Sequence, residues 1–314
     1  MGAGDPPGGG VVIDASALAR DAGREGARGR SGRAASALVI SKPGIAAGVA
    51  VAGLAGMVLA AKGVPDGRTV ALTLGSIVTA ASGAAIVNGI LDAPLDARMR
   101  RVSGRVAALR AVGERGALAL ALVLVAAALA VSSLCLNALA ALLILAAFLS
   151  YSLLYTLCFK RRSPYGTIPG GLPGALPVLI GYSAVAGRVG VDGAILFLVM
   201  LLWQPPHFWA LALKYQEDYR AAGVPVMPVV LGEPYTRVFI FLYAVALLPL
   251  SLALWVFGYC SGWFAGAAAA LWAWFLLSCY RNAVAARRFG RAFGASIVYM
   301  MGLLLAVILD VSAR

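Results

Sequence analysis

Charged residues are scarce in this chain. They make up 12% of its 314 residues, whereas a soluble globular domain carries about 25%. Apolar residues make up 61% of the sequence, and the mean hydropathy is +0.89. So few charges leave too little polar surface for a soluble protein. The composition therefore predicts an integral membrane protein.

Cysteine is also scarce, and its spacing excludes several kinds of site. No CxxC or CxxCH pair is present, so the sequence provides no disulfide framework, no zinc site and no covalent haem attachment. The four cysteines, which are expected to be small packing residues, are Cys135, Cys158, Cys260 and Cys279.

Nine apolar stretches of about 20 residues follow one another, which is the length that spans a bilayer as a helix. They cover residues 44–61, 70–91, 117–135, 137–157, 166–187, 193–213, 237–258, 263–280 and 292–311. The fifth is rich in glycine and proline and is the weakest of them. The sequence thus predicts an all-α integral membrane protein with about nine transmembrane helices.

Basic residues outnumber acidic ones by 26 to 13, and they are unevenly distributed. With nine spans, the segments on the N-terminal side hold 22 of the 26. The four on the other side are Lys62, Arg68, Arg188 and Arg314. This asymmetry places the N-terminus in the cytoplasm. Because the charges are dispersed among loops, no nucleic-acid partner is expected.

The first residues lack the apolar core of a secretory signal. Residues 1–37 are predicted to be a disordered basic cytoplasmic tail, and residues 38–314 a polytopic membrane domain. The cell inner membrane is the expected location, with the mitochondrial inner membrane as the alternative. The acidic residues that argue against a mitochondrial presequence are Asp5, Asp14, Asp21 and Glu25.

Three oxygen-bearing side chains stand four residues apart at the end of the second apolar stretch: Asn88, Asp92 and Asp96. Residues four apart share one face of a helix. Two carboxylates on one stripe repel each other unless a cation lies between them, and such oxygens suit Mg²⁺. The stripe predicts a magnesium site, with capping or ion pairing to nearby arginines as the alternative.

The other cytoplasmic segments suggest what the metal would bind. All three segments, 92–116, 158–165 and 214–236, hold basic side chains. Arginine and lysine bind phosphate oxygens, and Mg²⁺ can bind other oxygens of the same phosphate. A pyrophosphate ligand would therefore contact both the basic side chains and the metal. Glu217 and Asp218 supply a second acidic site, which is predicted to face the first across one cavity and to hold a second metal ion.

His207 is the only histidine in the sequence. It follows Pro205 and Pro206, which are predicted to break or kink the sixth helix. The residues alone leave two interpretations open, a packed, hydrogen-bonded histidine or a ligand-binding one. The neighbouring aromatic side chains, which either pack or line a cavity wall, are Trp203, Phe208 and Trp209.

Three ordered motifs resemble those of the protoheme IX farnesyltransferase family, also called haem O synthases. The first is the spacing N-x₃-D-x₃-D-x₂-M-x-R-x₃-R from Asn88 to Arg105. The others are YTLCFKRRSPYGTIPGGLPGALPVLIGYSAVAG at 155–187 and WQPPHFWALALKYQEDYRAAGVPVMPVV at 203–230. The resemblance covers about residues 40–232, and the last three spans match only in hydropathy.

This resemblance implies a UbiA-type intramembrane prenyltransferase, a helix bundle around a central cavity open to lipid. The implied reaction transfers a farnesyl group from farnesyl diphosphate to the 2-vinyl group of protohaem IX (haem B). Addition of water then gives haem O, and diphosphate is released. The implied cofactor is Mg²⁺, and the implied partners of the product are a haem A synthase or a terminal oxidase assembly.

The resemblance also implies roles for individual residues, with His207 facing the haem as an axial ligand or as a polar contact. The implied metal ligands are Asn88, Asp92 and Asp96 for one Mg²⁺ and Asp218 with Glu217 for the other. The implied diphosphate-binding residues are Arg101, Arg105, Tyr155, Lys160, Arg161 and Lys214. The residues expected to be catalytic are Asp92, Asp96 and Asp218.

Three positions depart from the family pattern. Pro94 stands inside the first motif and is predicted to end the helix there, which leaves the position of Asp96 open. Val102 and Val106 replace the usual threonine and proline. Two other functions stay open from the sequence: an intramembrane prenyltransferase for an aromatic or quinone precursor, and a non-enzymatic haem-handling or transport protein.

Overall fold

The computed structural model describes residues 32–314, and this part of the chain is helical and contains no strand. Nine of its helices are long and apolar enough to cross a membrane. They are α1 (Pro43–Ala61), α2 (Gly67–Asp96), α3 (Glu114–Cys135), α4 (Ala138–Arg162), α5 (Thr167–Ala186), α6 (Val191–Lys214), α7 (Glu233–Val256), α8 (Gly262–Ala285) and α9 (Phe289–Ser312). Each coincides with one predicted stretch, so the predicted fold class is confirmed.

Shorter helical segments connect these spans. They are a 3₁₀ turn at Arg100–Val102 and helices at Ser103–Val112, Gln216–Ala221 and Met227–Val230. Residues 32–40 are also helical, although the sequence assigned residues up to 37 to the tail. Alanine is the best helix former, and it is frequent there. The tail prediction for residues 1–31 lies outside the described residues.

Three prolines that were predicted to interrupt helices lie inside them. Pro94 is within α2, which continues to Asp96. Pro205 and Pro206 are within α6, which is one helix from Val191 to Lys214. The prediction of a helix end at Pro94 is therefore wrong, and α6 is not broken at Pro205 and Pro206. The alternative, a kink at these two prolines, stays a prediction. Each proline removes one backbone donor, but in a bundle the neighbouring helices hold the backbone in place.

Side-chain contacts identify the two ends of the bundle. At the first end, α4 meets α2 where Arg161 donates to the carbonyl of Leu91 at 2.6 Å. At the opposite end, Asn137 donates to the carbonyl of Ser183 at 2.8 Å, and the backbone of Ser261 donates to Asp310 at 2.9 Å. We call these the site end and the far end. The segments predicted to be cytoplasmic lie at the site end.

Glycines allow α1 and α5 to approach each other closely. A Cβ atom on Gly181 would lie 1.9 Å from the carbonyl oxygen of Gly53, and one on Gly56 would lie 2.0 Å from that of Val178. Small residues permit such contacts between membrane helices. Van der Waals packing stabilises these contacts, because the hydrophobic effect does not drive helices together in lipid. The pair forms one wall of the cavity described below.

The Gly181→Ala variant is expected to lower the apparent melting temperature of the protein in detergent. The added methyl group overpacks a backbone contact, which costs roughly 1–3 kcal/mol. Gly75→Ala is the matched control, because no atom lies within 4 Å of a Cβ atom there. Equal melting temperatures for the two variants would contradict the close contact between α1 and α5.

Candidate active site

A cavity of about 800 Å³ opens between α1, α2, α4, α5, α6 and α9. Its size lies in the range of ligand sites, roughly 300–1,000 Å³. On α2 the lining runs from Asp92 and Asp96 at the site end to Ile77, fifteen residues before Asp92. At 1.5 Å per residue, this is roughly 20 Å of helix. The cavity therefore joins a polar mouth at the site end to an apolar depth within the bundle.

The predicted stripe lies on the wall of this mouth. Asn88, Asp92 and Asp96 are 5%, 2% and 6% exposed, and all three line the cavity. The amide of Asn88 donates to Oδ2 of Asp92 at 2.8 Å. The uninterrupted helix through Pro94 is what keeps Asp96 on this stripe.

Basic side chains converge on the stripe. Nζ of Lys160, from α4, lies 2.5 Å from Oδ2 of Asp92. Nη1 of Arg105 lies 3.8 Å from Oδ2 of Asp96, and Nη2 of Arg161 lies 3.8 Å from Oδ1 of Asp92. Carboxylates and basic side chains thus lie side by side at the mouth. A ligand that combines an anionic phosphate with a cationic metal needs both kinds of group.

Lys42 is a further basic residue of the mouth. It is the N-cap of α1, and its Nζ donates to Oδ1 of Asn88 at 2.7 Å and to the hydroxyl of Tyr151 at 3.4 Å. Burial, followed by the positive charges of Arg105 and Lys160, lowers the pKa of Lys42 to about 7. An anionic ligand placed among these three cations favours their charged forms. Lys42 was not among the predicted site residues.

The stripe has the chemistry of a magnesium site. Oδ1 of Asp92 is buried and has no hydrogen-bond partner, which is costly for a carboxylate oxygen. Residues 32–314 contain no group of three or more histidine, cysteine or acidic side chains that could hold a metal. Mg²⁺ needs fewer, because it is commonly held by one or two carboxylates together with substrate phosphates and water. Asn88, Asp92 and Asp96 fit that donor set.

The second acidic pair lies outside the cavity lining. Oδ2 of Asp218 accepts the backbone N–H of Arg101 at 2.9 Å. The side chain of Glu217 is 81% exposed and pairs with Arg220. Asp218 does not line the cavity, but its hydrogen-bond partner Arg101 and the next residue, Tyr219, both do. The structure thus does not place Glu217 and Asp218 on a wall of the cavity that the first stripe lines.

A π-helical segment of α4, Ser150–Phe159, supplies one side of the mouth. Thr156 accepts from the amide of Asn88 at 2.9 Å and donates to the carbonyl of Tyr151 at 2.8 Å. The rings of Tyr151 and Tyr155 stack with their centroids 6.1 Å apart. Segments of π-helix are frequent at functional sites. Only Tyr155 was predicted; the polar residues within an apolar stretch were the available signal for the others.

Glycines at the start of α5 make room for cavity side chains. A Cβ atom on Gly170 would lie 2.3 Å from the ring of Tyr155, and one on Gly174 would lie 2.3 Å from Nε2 of Gln204. Both side chains line the cavity. These glycines made the fifth span the weakest prediction, and in the structure they leave the space that the two side chains occupy.

His207 lies in the cavity wall between two aromatic rings. Its centroid is 4.3 Å from that of Trp203 and 4.5 Å from that of Phe293, and both pairs are stacked. Its Nδ1 lies 2.7 Å from the hydroxyl oxygen of Ser296 on α9. No sequence pattern indicated Phe293 or Ser296, which lie almost 90 residues further along the chain.

The remaining predicted residues divide between the cavity and its surroundings. Trp203 and Phe208 line the cavity. Trp209 does not; it is fully buried and packs edge-on against Phe239 and Tyr243. The predicted diphosphate-binding residues that line the cavity are Arg101, Arg105, Tyr155 and Lys160. Those outside its lining are Arg161 and Lys214.

The chain is similar to proteins of a known family. The model of the UbiA prenyltransferase family matches residues 49–308. A curated protein of Geotalea uraniireducens named protoheme IX farnesyltransferase is 56% identical over 258 residues, which are 82% of this chain and 100% of that protein. One of Alkalilimnicola ehrlichii with the same name is 39% identical over 87% of this chain and 91% of its own length.

Solved structures show the same fold. A digeranylgeranylglyceryl phosphate synthase superposes with a TM-score of 0.72 at 19% identity, over 90% of this chain and 99% of that one. A UbiA homolog from Archaeoglobus fulgidus bound to DMAPP and Mg²⁺ superposes with a TM-score of 0.63 at 14% identity, over 87% of this chain and 99% of that one.

Proposed function

The chain belongs to the UbiA prenyltransferase family, and we propose that it transfers a farnesyl group from farnesyl diphosphate to the 2-vinyl group of protohaem IX. Water is added in the same reaction, which gives haem O and diphosphate. The observation that carries this proposal is the single cavity that joins the acid–base mouth to an apolar depth. Such a cavity suits a ligand with an anionic head and a long hydrocarbon tail, and the names of the relatives indicate the acceptor.

The mouth binds the diphosphate. The cations that stabilise the negative charge on the departing group are Lys42, Arg101, Arg105 and Lys160, which all line the cavity. Tyr155 lines the same cavity, and we assign its hydroxyl to a contact with the leaving oxygen. We place Arg161 and Lys214 at the outer edge of this site, where they attract the anionic substrate.

Magnesium completes the mouth. Asn88, Asp92 and Asp96 would hold one ion, and Asp218 with Glu217 would hold a second when substrate is present. When bound, Mg²⁺ acts as a Lewis acid on the phosphate oxygens. The support for the first site is the buried, unpartnered oxygen of Asp92. The support for the second is the link from Asp218 to Arg101, which itself lines the mouth.

The apolar part of the cavity protects the farnesyl group while its C1–O bond breaks. Aromatic faces stabilise an allylic cation, and exclusion of water prevents its hydrolysis. The rings of Tyr151, Tyr155 and Phe208 line the cavity. The terminal vinyl carbon then bonds to C1 of the farnesyl group. Water adds to the inner vinyl carbon and loses a proton, which leaves a hydroxyethylfarnesyl side chain.

The acceptor lies on the side of the cavity formed by α6 and α9, where His207 faces the haem. We place the protein in the cell inner membrane with its site end in the cytoplasm, because 22 of its 26 basic residues lie on that side. A haem O product is a substrate for a haem A synthase or a component for a terminal oxidase assembly, and these are the partners we propose.

Release of diphosphate tests the choice of acceptor. Purified protein with farnesyl diphosphate and Mg²⁺ should release diphosphate much faster when protohaem is added, because only then is the cleaved group captured. An aromatic acid such as 4-hydroxybenzoate should give no such stimulation. Stimulation by the aromatic acid and not by protohaem would show instead a prenyltransferase for aromatic acceptors.

A further inference from the structure

Ser296 of α9 holds two neighbouring side chains of α6. Its backbone carbonyl accepts the indole N–H of Trp203 at 2.8 Å. Its hydroxyl oxygen lies 2.7 Å from Nδ1 of His207. Ser296 is 1% exposed, so water does not compete for either contact. One residue of α9 thereby fixes the positions of a cavity indole and a cavity imidazole.

The hydrogen bonds determine which nitrogen of His207 carries the proton. The Ser296 hydroxyl donates its only proton to the carbonyl of Phe293 at 2.6 Å. With that bond made, the hydroxyl acts as the acceptor towards His207, and this assignment places the proton of the neutral imidazole on Nδ1. The lone pair of the ring is then on Nε2.

The same packing directs Nε2 into the cavity. Trp203 and Phe293 cover the two faces of the His207 ring, which leaves its edges for contact. One edge carries Nδ1 and is taken by Ser296. His207 lines the cavity, and Nε2 is not among the buried side-chain atoms without a partner in residues 32–314. Its lone pair is therefore accessible from the cavity.

We propose that Ser296 is a positioning residue that holds His207 in the Nδ1–H form, so that Nε2 ligates the iron of the protohaem substrate. This rests on the proposed function for the identity of the ligand. A neutral imidazole nitrogen is the commonest protein ligand of metals, and it is usually oriented by a hydrogen bond at the other ring nitrogen. The serine supplies that hydrogen bond, and the two rings prevent the imidazole from turning.

Titration of the full-length protein in detergent with ferric protohaem tests this assignment by absorption and electron paramagnetic resonance. The wild type should give the spectrum of imidazole-ligated haem, and His207→Ala should lose it. Ser296→Ala should weaken haem binding about 10- to 100-fold, the usual cost of losing the partner of a metal-ligating histidine. Ser296→Thr, which keeps the hydroxyl, should restore binding.

The controls separate positioning from general damage to the fold. Ser251→Ala removes an equally buried hydroxyl that contacts α9 through Tyr299, away from the cavity lining, and should leave haem affinity unchanged. In turnover, Ser296→Ala should raise KM for protohaem and leave KM for farnesyl diphosphate unchanged. His207→Gly should regain the ligated spectrum when imidazole is added, which tests the ligand assignment separately from the serine variants.

Two results would overturn the proposal. One is wild-type haem affinity and spectrum in Ser296→Ala, which would show that the serine does not position His207. The other is a ligated spectrum that persists in His207→Ala. Transfer of farnesyl to haem together with either result would leave the proposed function standing. An imidazole-ligated spectrum that disappears in His207→Ala, in a protein that does not farnesylate haem, would support the ligand and reject the function.

Discussion

Asp92→Ala is expected to abolish turnover, with kcat reduced at least about 10³-fold, while folding and membrane insertion are retained. Removing one charge-stabilising group from an active site costs about 10²–10³ in kcat. Asp92 also anchors Asn88 and Lys160, so its loss disturbs a cation and an amide as well. The measurement is turnover of purified variants with saturating substrates, together with their melting temperatures.

Asp66→Ala is the matched control, because Asp66 caps the other end of the same helix by accepting the backbone N–H of Thr69 at 2.9 Å. It should cost about 1 kcal/mol of stability and leave turnover unchanged. Asp218→Ala is expected to abolish turnover as well if Asp218 holds the second ion. Near-normal turnover in Asp92→Ala or Asp218→Ala would exclude that residue from the metal site.

Removal of divalent metal is the second large effect. Treatment with EDTA should stop turnover, and added Mg²⁺ should restore it. Without the metal no Lewis acid acts on the diphosphate, and the carboxylates of Asp92 and Asp96 repel it. A second measurement is independent of activity: Mg²⁺ with farnesyl diphosphate should raise the melting temperature of the wild type. The same addition should leave that of Asp92→Ala nearly unchanged.

Full turnover after EDTA, with less than one metal ion per protein by elemental analysis, would contradict the magnesium assignment. In that case Lys42, Lys160 and Arg105 would be the groups that neutralise the diphosphate. The mouth would then resemble a purely basic anion site, and the unpartnered oxygen of Asp92 would need another explanation.

The parts of the structure that follow from local spacing could be predicted from the sequence. Stretches of about 20 apolar residues can satisfy their backbone in lipid only as helices, and the nine predicted stretches correspond to nine such helices within residues 32–314. Three side chains at intervals of four must share a face of a helix, and Asn88, Asp92 and Asp96 do. Local sequence does not account for Pro94 and Pro205, where the helices continue. Neighbouring helices support a backbone that lacks one donor, and this support is not visible in the sequence of a single helix.

The contacts between distant segments could not be predicted. Lys42 meets Asn88 across 46 residues, and Ser296 meets His207 across 89 residues. Nothing in the spacing of one helix states which side chain of another will face it. The loops add a second limit: Asp218 turns towards the backbone of Arg101, an orientation set by the short helices beside it.

The π-helical segment of α4 shows a third limit. Its hydrogen bonds shift the register of the helix, so the side chains that meet Asn88 are not those an α-helical repeat indicates. Tyr151 and Thr156, five residues apart, both contact Asn88. Apolar periodicity contains no sign of this change, because the segment is apolar on most of its surface.

The most direct test of farnesyl transfer to protohaem is the mass of the haem after incubation of the purified protein with protohaem, farnesyl diphosphate and Mg²⁺. Farnesyl transfer predicts a haem whose mass has increased by one farnesyl group plus one hydroxyl group, formed by the wild type and not by Asp92→Ala. Unmodified haem, in a reaction that nevertheless cleaves farnesyl diphosphate, would contradict haem as the acceptor while keeping the diphosphate site.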